Sequence, residues 1–138
     1  MRILKAFWKP IAWALIVLIL SALSGEKVSQ LPLVNIPNMD KVVHFGMYFM
    51  FTFLMMWDFA RYKNGIYTWK QIIFFSLLSA IIYGGLMELL QSIPTLHRST
   101  DIKDFLANST GAMVAVLLFK PASAFIKRLL PAYYKAKS

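Results

Sequence analysis

The sequence predicts an all-α integral membrane protein, a bundle of four transmembrane helices with both termini in the cytoplasm. Composition is the first observation behind this: of 138 residues, 59% are hydrophobic and 15% charged, against about 25% charged in soluble domains. The second is that the apolar residues gather in four long runs, with a mean hydropathy of +0.59 over the chain. The third is that lysines and arginines crowd beside alternate ends of those runs. The length suits one domain, residues 1–138. With no cysteine, disulfides, thiolate metal sites and cysteine nucleophiles are excluded. A net charge of +9 would point to nucleic acid in a soluble protein. Beside apolar segments, topology and anionic lipid headgroups explain it better, so membrane lipid is the expected partner and nucleic acid is not.

The first run is 11–23, extendable back to Phe7, and it follows Arg2, Lys5 and Lys9. A basic start, a short apolar core and Ala22-Leu23-Ser24 also fit a signal peptide. An uncleaved helix is favoured, because including Phe7 and Trp8 brings the run near the roughly 20 residues a span requires. Residues 25–39 form a loop with Pro32 and Pro37. The second run, 42–57, is broken only by His44 and ends at Asp58. A polar connection with the turn pair Asn64-Gly65 follows. The third run, 72–90, carries Glu88 near its end and is stopped by Pro94, which has no backbone N–H to donate. The fourth, 104–119, is closed by Lys120-Pro121. The basic tail, 122–138, reads as an amphipathic stretch on the membrane surface or a frayed end.

Charge orients the bundle. The N-terminus, the 58–70 connection and the tail hold eleven lysines and arginines; the two other loops hold four, Lys27, Lys41, Arg98 and Lys103. Both termini are therefore expected in the cytoplasm. Trp8, Trp57, Trp69, Tyr133 and Tyr134 then fall at the cytoplasmic interface, where amphipathic rings anchor helices.

That orientation collects the unusual polar residues at the opposite end. Asp40, His44 and Tyr48 are spaced to share a helix face. Asp40 suits a helix start, whereas an imidazole one turn inside an apolar helix needs a partner. An Asp–His pair serves either to orient a base or to bind a metal. Glu88 costs about 2.5–3.5 kcal/mol to bury in a membrane helix even on the mildest scale, so it must face protein or water. Ala80, Gly84 and Glu88 lie on one stripe with Gln91 beside it, and the small residues admit a close neighbour. Asp104, Asn108, Gly111 and Ala115 form a matching stripe, with Asp101 just before it and Asp104 as a candidate cap. Asn108 is expected to bond Glu88 or His44. Arg98 reads either as a loop charge paired with Asp101 or Glu88, or as a guanidinium for an anionic ligand. His97 is read as an incidental loop residue. The methionines and phenylalanines of 47–56 read as core and lipid-facing packing. Hydrolase elbows, zinc-protease pairs, phosphate loops and dinucleotide glycine patterns are absent, so no cofactor is specified.

Taken together these residues resemble the VanZ-like family. Asp40-Lys41-Val42-Val43-His44 with Tyr48 resembles the start of its motif. Glu88-Leu89-Leu90-Gln91 resembles the second block, and Arg98-Ser99 with Asp101, Asp104, Asn108 and Gly111-Ala112 the third. The likeness covers about 40–115. Ala115 stands where many members carry a second glycine. The resemblance implies a small multi-pass protein of the bacterial cytoplasmic membrane, associated through its namesake with resistance to teicoplanin-type glycopeptides. A phosphotransbutyrylase label attached to some relatives finds no coenzyme A site in this sequence.

Three functions are consistent with the pattern. The leading one is a pocket at the outer end that binds or modifies a cell-envelope component, a lipid-linked or peptidoglycan-related anion. Arg98 would hold the anion, with Asp40, Tyr48, Gln91, Asp101 and Asn108 as further binding residues. His44, Glu88 and Asp104 are the candidate catalytic groups. The alternative is a metal-dependent hydrolase or transferase acting on a phosphorylated lipid, with Asp40, His44, Glu88 and Asp104 as ligands suited to Zn, Mn or Mg. The third is a structural or partner-binding membrane protein without catalysis.

Overall fold

A computed structural model describes residues 2–22, 38–62, 66–92 and 101–129 of the chain. Among these the secondary structure is helical throughout. Helix α1 (Arg2–Ala6) is followed by α2 (Trp8–Ala22), α3 (Met39–Arg61), α4 (Trp69–Gln91) and α5 (Ile102–Leu129). The break between α1 and α2 has a cause in the sequence. The ring of Pro10 clashes with the carbonyl four residues earlier, which is that of Ala6, and α1 ends there. Pro10 itself lies in the first turn of α2, where its missing N–H is no loss.

Helices α3, α4 and α5 are long and apolar enough to cross a membrane. The 23 residues of α3 and of α4 extend about 34 Å each, against about 30 Å of hydrocarbon. Helix α2 is apolar but has only 15 residues. It is nonetheless built into the bundle. The Trp13 indole N–H donates to the Met47 carbonyl at 2.9 Å, and the Tyr83 hydroxyl donates to the Ala14 carbonyl.

Local chemistry sets the helix ends. A reciprocal capping box opens α4: the Gln71 N–H donates to the Thr68 hydroxyl, and the Thr68 N–H donates to the Gln71 side chain. Asn38 precedes α3 in the left-handed region, at φ 62°, which asparagine tolerates. Asp101, rather than Asp104, caps α5. Its Oδ1 accepts from the Lys103 N–H at 2.8 Å and its carbonyl takes the first helical bonds. Asp104 sits within the first turn, free to look inward. The sequence predicts a stop at Lys120-Pro121, but α5 runs on to Leu129. Proline removes one donor, and in a membrane-length helix a single freed carbonyl is tolerated. The start of the basic tail, 122–129, is thus helix, and 130–138 lies outside the described residues. Pro94, the loop 25–37 and Asn64-Gly65 also lie outside them.

The bundle is assembled on small residues. Helix α5 makes its most extensive contact with α3. At the crossing, a Cβ on Gly111 would stand 2.2 Å from the Phe45 carbonyl oxygen, so the two backbones touch. Gly84 of α4 admits the Tyr48 ring, which a Cβ there would meet at 3.3 Å. Ala80, Ala112 and Ala115 are fully buried along the same seams. One core cluster joins Val17, Met47, Tyr48, Phe51 and Met87 to Ala80 and Ala112; a second, nearer the other end, joins Met56, Ile72 and Phe119. Large apolar side chains cover the outside, with Leu117 74% and Leu89 65% exposed, as a lipid-facing surface requires.

Gly111→Ala is expected to lower stability by about 1–3 kcal/mol by prising α5 from α3. Gly84→Ala should cost less, because its neighbour is a ring edge and not a backbone carbonyl. Thermal unfolding of the detergent-solubilised variants, followed by circular dichroism, measures both; equal losses would contradict the close crossing.

Candidate functional site

The contact at Gly111 sets the register of α5 against α3, and so positions the polar stripe of α5. Asn108 and Asp104 lie one and two turns before Gly111 and are buried with it. His44 and Tyr48 face them from α3, and Glu88 and Gln91 from the end of α4; all four are buried.

A hydrogen-bonded chain links three helices. The Asn108 amide Nδ2 donates to Glu88 Oε1 at 3.4 Å. Its carbonyl oxygen therefore faces His44 and accepts from Nδ1 at 3.0 Å. Nδ1 is then the donor in this bond, and Nε2 lies 3.9 Å from Asp104 Oδ2, beyond hydrogen-bond distance. Asp104 is bound in turn by Lys41 Nζ at 3.0 Å. The same ammonium holds Asp40 at 2.6 Å and Asp101 at 3.2 Å. Lys41 thus gathers three carboxylates at the rim, and the order Lys41–Asp104–His44–Asn108–Glu88 runs from half-exposed rim to buried interior. The Lys103 N–H, followed by Lys41, holds the Asp101 carboxyl below the usual carboxylate range.

Two atoms of this cluster make no hydrogen bond of ordinary length among the described residues: Glu88 Oε2, on a carboxylate that the Asp101 backbone N–H approaches, and the Tyr48 hydroxyl. Buried polar atoms are seldom left this way.

Of the residues that the sequence nominates, His44, Tyr48, Glu88, Gln91, Asp104 and Asn108 are brought together and buried. Asp101 lies at the rim. Asp40 does not stack beneath His44. From the first turn of α3 its carboxylate is 46% exposed and bonds Lys41, whose flexible stem reaches it in water. Arg98 and His97 lie outside the described residues. The proposed metal set does not converge: among the described residues no three His, Asp or Glu side chains are disposed to share an ion. Asn108 stands between His44 and Glu88, and Lys41 occupies the space among the aspartates.

Sequence reading missed Lys41 as the hub, treating it as a topology charge and as one residue of the Asp40–His44 motif. It also missed an ion pair at the far end of the bundle, where Lys9 of α2 reaches Asp58 of α3. Asp58 does not terminate its helix. It lies inside α3, with a side chain 2% exposed. An acid ending one apolar run and a lysine opening another on the same membrane side was the available signal.

Fold and site together define a small helical membrane protein with an ionisable hydrogen-bonded network at one end of its bundle. Residues 2–127 match the VanZ/LLP1 family, and the chain belongs to it. An uncharacterized protein of the fission yeast Schizosaccharomyces pombe is 32% identical over 111 residues, which cover 80% of this chain and 62% of that relative. The chain therefore spans less than two thirds of the relative it matches. No solved structure matches it. With a relative in a yeast, family membership does not by itself confine the chain to bacteria.

Asn108→Leu removes both amide bonds and leaves His44 and Glu88 facing an isobutyl group. A loss of about 1–3 kcal/mol per stranded group is expected. In the double variant Asn108→Leu/Glu88→Leu the loss should be smaller than in the single one, as read by thermal unfolding. Strict additivity would break the proposed chain.

Proposed function

We propose that the charged end of the bundle binds the polar head of a membrane amphiphile of the cell envelope. The observation that carries this is Glu88 Oε2, buried in the interior with no hydrogen bond of ordinary length among the described residues. A cluster that served only to lock helices together would be expected to satisfy its own atoms, because a half-satisfied network costs more than an apolar core. An open carboxylate oxygen beside an unpartnered tyrosine hydroxyl suits a ligand that donates hydrogen bonds, through hydroxyl or amide groups of a sugar or peptide head. Lys41 is already surrounded by three carboxylates. The anionic part of such a ligand is therefore assigned to Arg98, next to the start of α5. His44 and Asp104 position Asn108, and through it Glu88.

In this reading α2 is a fourth membrane-embedded helix, both termini are cytoplasmic, and the charged end faces outward in the cytoplasmic membrane of a bacterium. Teicoplanin-type glycopeptides act on that side, so a link to glycopeptide resistance belongs to the same proposal.

Two measurements test it. A cysteine placed at Thr95 should react with a membrane-impermeant thiol reagent added outside intact cells, and one placed at Lys63 should not; the reverse pattern inverts the orientation. Cells producing the protein should become less susceptible to teicoplanin, and Glu88→Gln and Arg98→Ala should each abolish the effect at equal folded protein levels. Two folded variants with the wild-type phenotype would rule out the pocket as the active element.

A further inference from the structure

At the opposite end of the bundle the structure holds a second feature that the charged end does not use. A cavity of about 400 Å³ opens between α2, α3 and Tyr67, two residues before α4. Its inner wall is Ala14, Phe51 and Met55, without a charged atom. Its mouth is Phe7, Tyr62 and Tyr67. The mouth is a fixed aromatic frame: Phe7 packs on Phe59 at 4.7 Å and on Tyr62 at 5.5 Å, and Tyr67 packs on Phe59 at 5.3 Å. From Phe51 to Tyr62 the wall of α3 rises about 16 Å, close to the 15 Å or so of hydrocarbon in one leaflet.

Charge is graded along the same direction. Lys5 is exposed just before Phe7, Lys9 follows it and reaches Asp58, and Arg61 adjoins Tyr62 above the Trp57 ring at 5.8 Å. Lys9 and Arg61 stand near one carboxylate, Asp58, and Lys5 is exposed in the helix that precedes Phe7, so cations outnumber acids at this end while the cavity wall is apolar. A slot one leaflet deep, with tyrosines at its entrance and lysines above them, has the polarity profile of a phospholipid carrying a negative headgroup.

We propose that this cavity is a binding site for one acyl chain of an anionic phospholipid, whose headgroup phosphate lies against Lys5 and Lys9. Ala14 is the specificity-determining residue for the chain, since a larger side chain there fills the slot from the α2 side. The lysines determine the headgroup. The site is independent of the ligand assigned to the charged end.

The full-length protein in detergent, titrated with phosphatidylglycerol or with phosphatidylcholine of the same acyl composition and read by native mass spectrometry, tests this. One phosphatidylglycerol per chain should be retained, with at least a tenfold preference over phosphatidylcholine. Ala14→Phe and Ile11→Trp should each abolish retention. Lys5→Gln/Lys9→Gln should remove the preference while leaving weaker retention of both lipids. Leu117→Phe, on the exposed face of α5, should behave as wild type. Equal retention of the two lipids by the wild type overturns the proposal. So does retention unchanged in both folded slot variants, and so does a groove occupied by a second copy of the chain, seen as a dimer that phosphatidylglycerol does not displace.

Discussion

The bundle depends on a contact that is backbone against backbone, with no side chain between the two helices. Where α5 crosses α3, the backbone of Gly111 lies against the carbonyl of Phe45, with no room for a methyl group. In lipid there is little hydrophobic gain in bringing helices together, so close packing must supply the association. Closeness at this point also sets geometry. Asn108 and Asp104 are carried on the same face of α5, and a helix held further out would leave the Asn108 carbonyl beyond the reach of His44 Nδ1. The polar chain is a consequence of the apolar crossing and not its cause.

The two ends of the bundle solve the same electrostatic problem differently. At the charged one, four acids sit near one lysine that bonds three of them and offsets one of their charges, and the fourth, Glu88, is left to an amide. At the aromatic end a single buried acid, Asp58, takes a single lysine from another helix. Both arrangements obey the rule that a charge within a membrane faces protein and finds a partner. Each leaves one carboxylate oxygen without a hydrogen bond among the described residues, Glu88 Oε2 at one end and Asp58 Oδ2 at the other.

Much of this was legible in the sequence. Helix periodicity placed Ala80, Gly84 and Glu88 on one buried stripe and Asp104, Asn108, Gly111 and Ala115 on another, and it foresaw that Asn108 would meet Glu88 or His44. Those are local statements, since residues three and four apart share a face in any helix. Three features were not legible. The direction taken by Asp40 depends on a flexible lysine beside it. Continuation of α5 through Pro121 depends on how little one freed carbonyl costs there. The pairing of Lys9 with Asp58 depends on α2 packing against α3, a contact between segments 49 residues apart that no spacing rule reports.

That last pair bears on how the chain enters the membrane. If α2 enters ahead of α3, its ammonium is already available when α3 delivers Asp58. The acid meets its counter-ion on arrival and never has to be accommodated alone by lipid. A chain without α2 would leave the buried Asp58 carboxylate without its lysine. The short α2, with its 15 residues, would then supply the counter-ion for the acid buried in the helix that follows it.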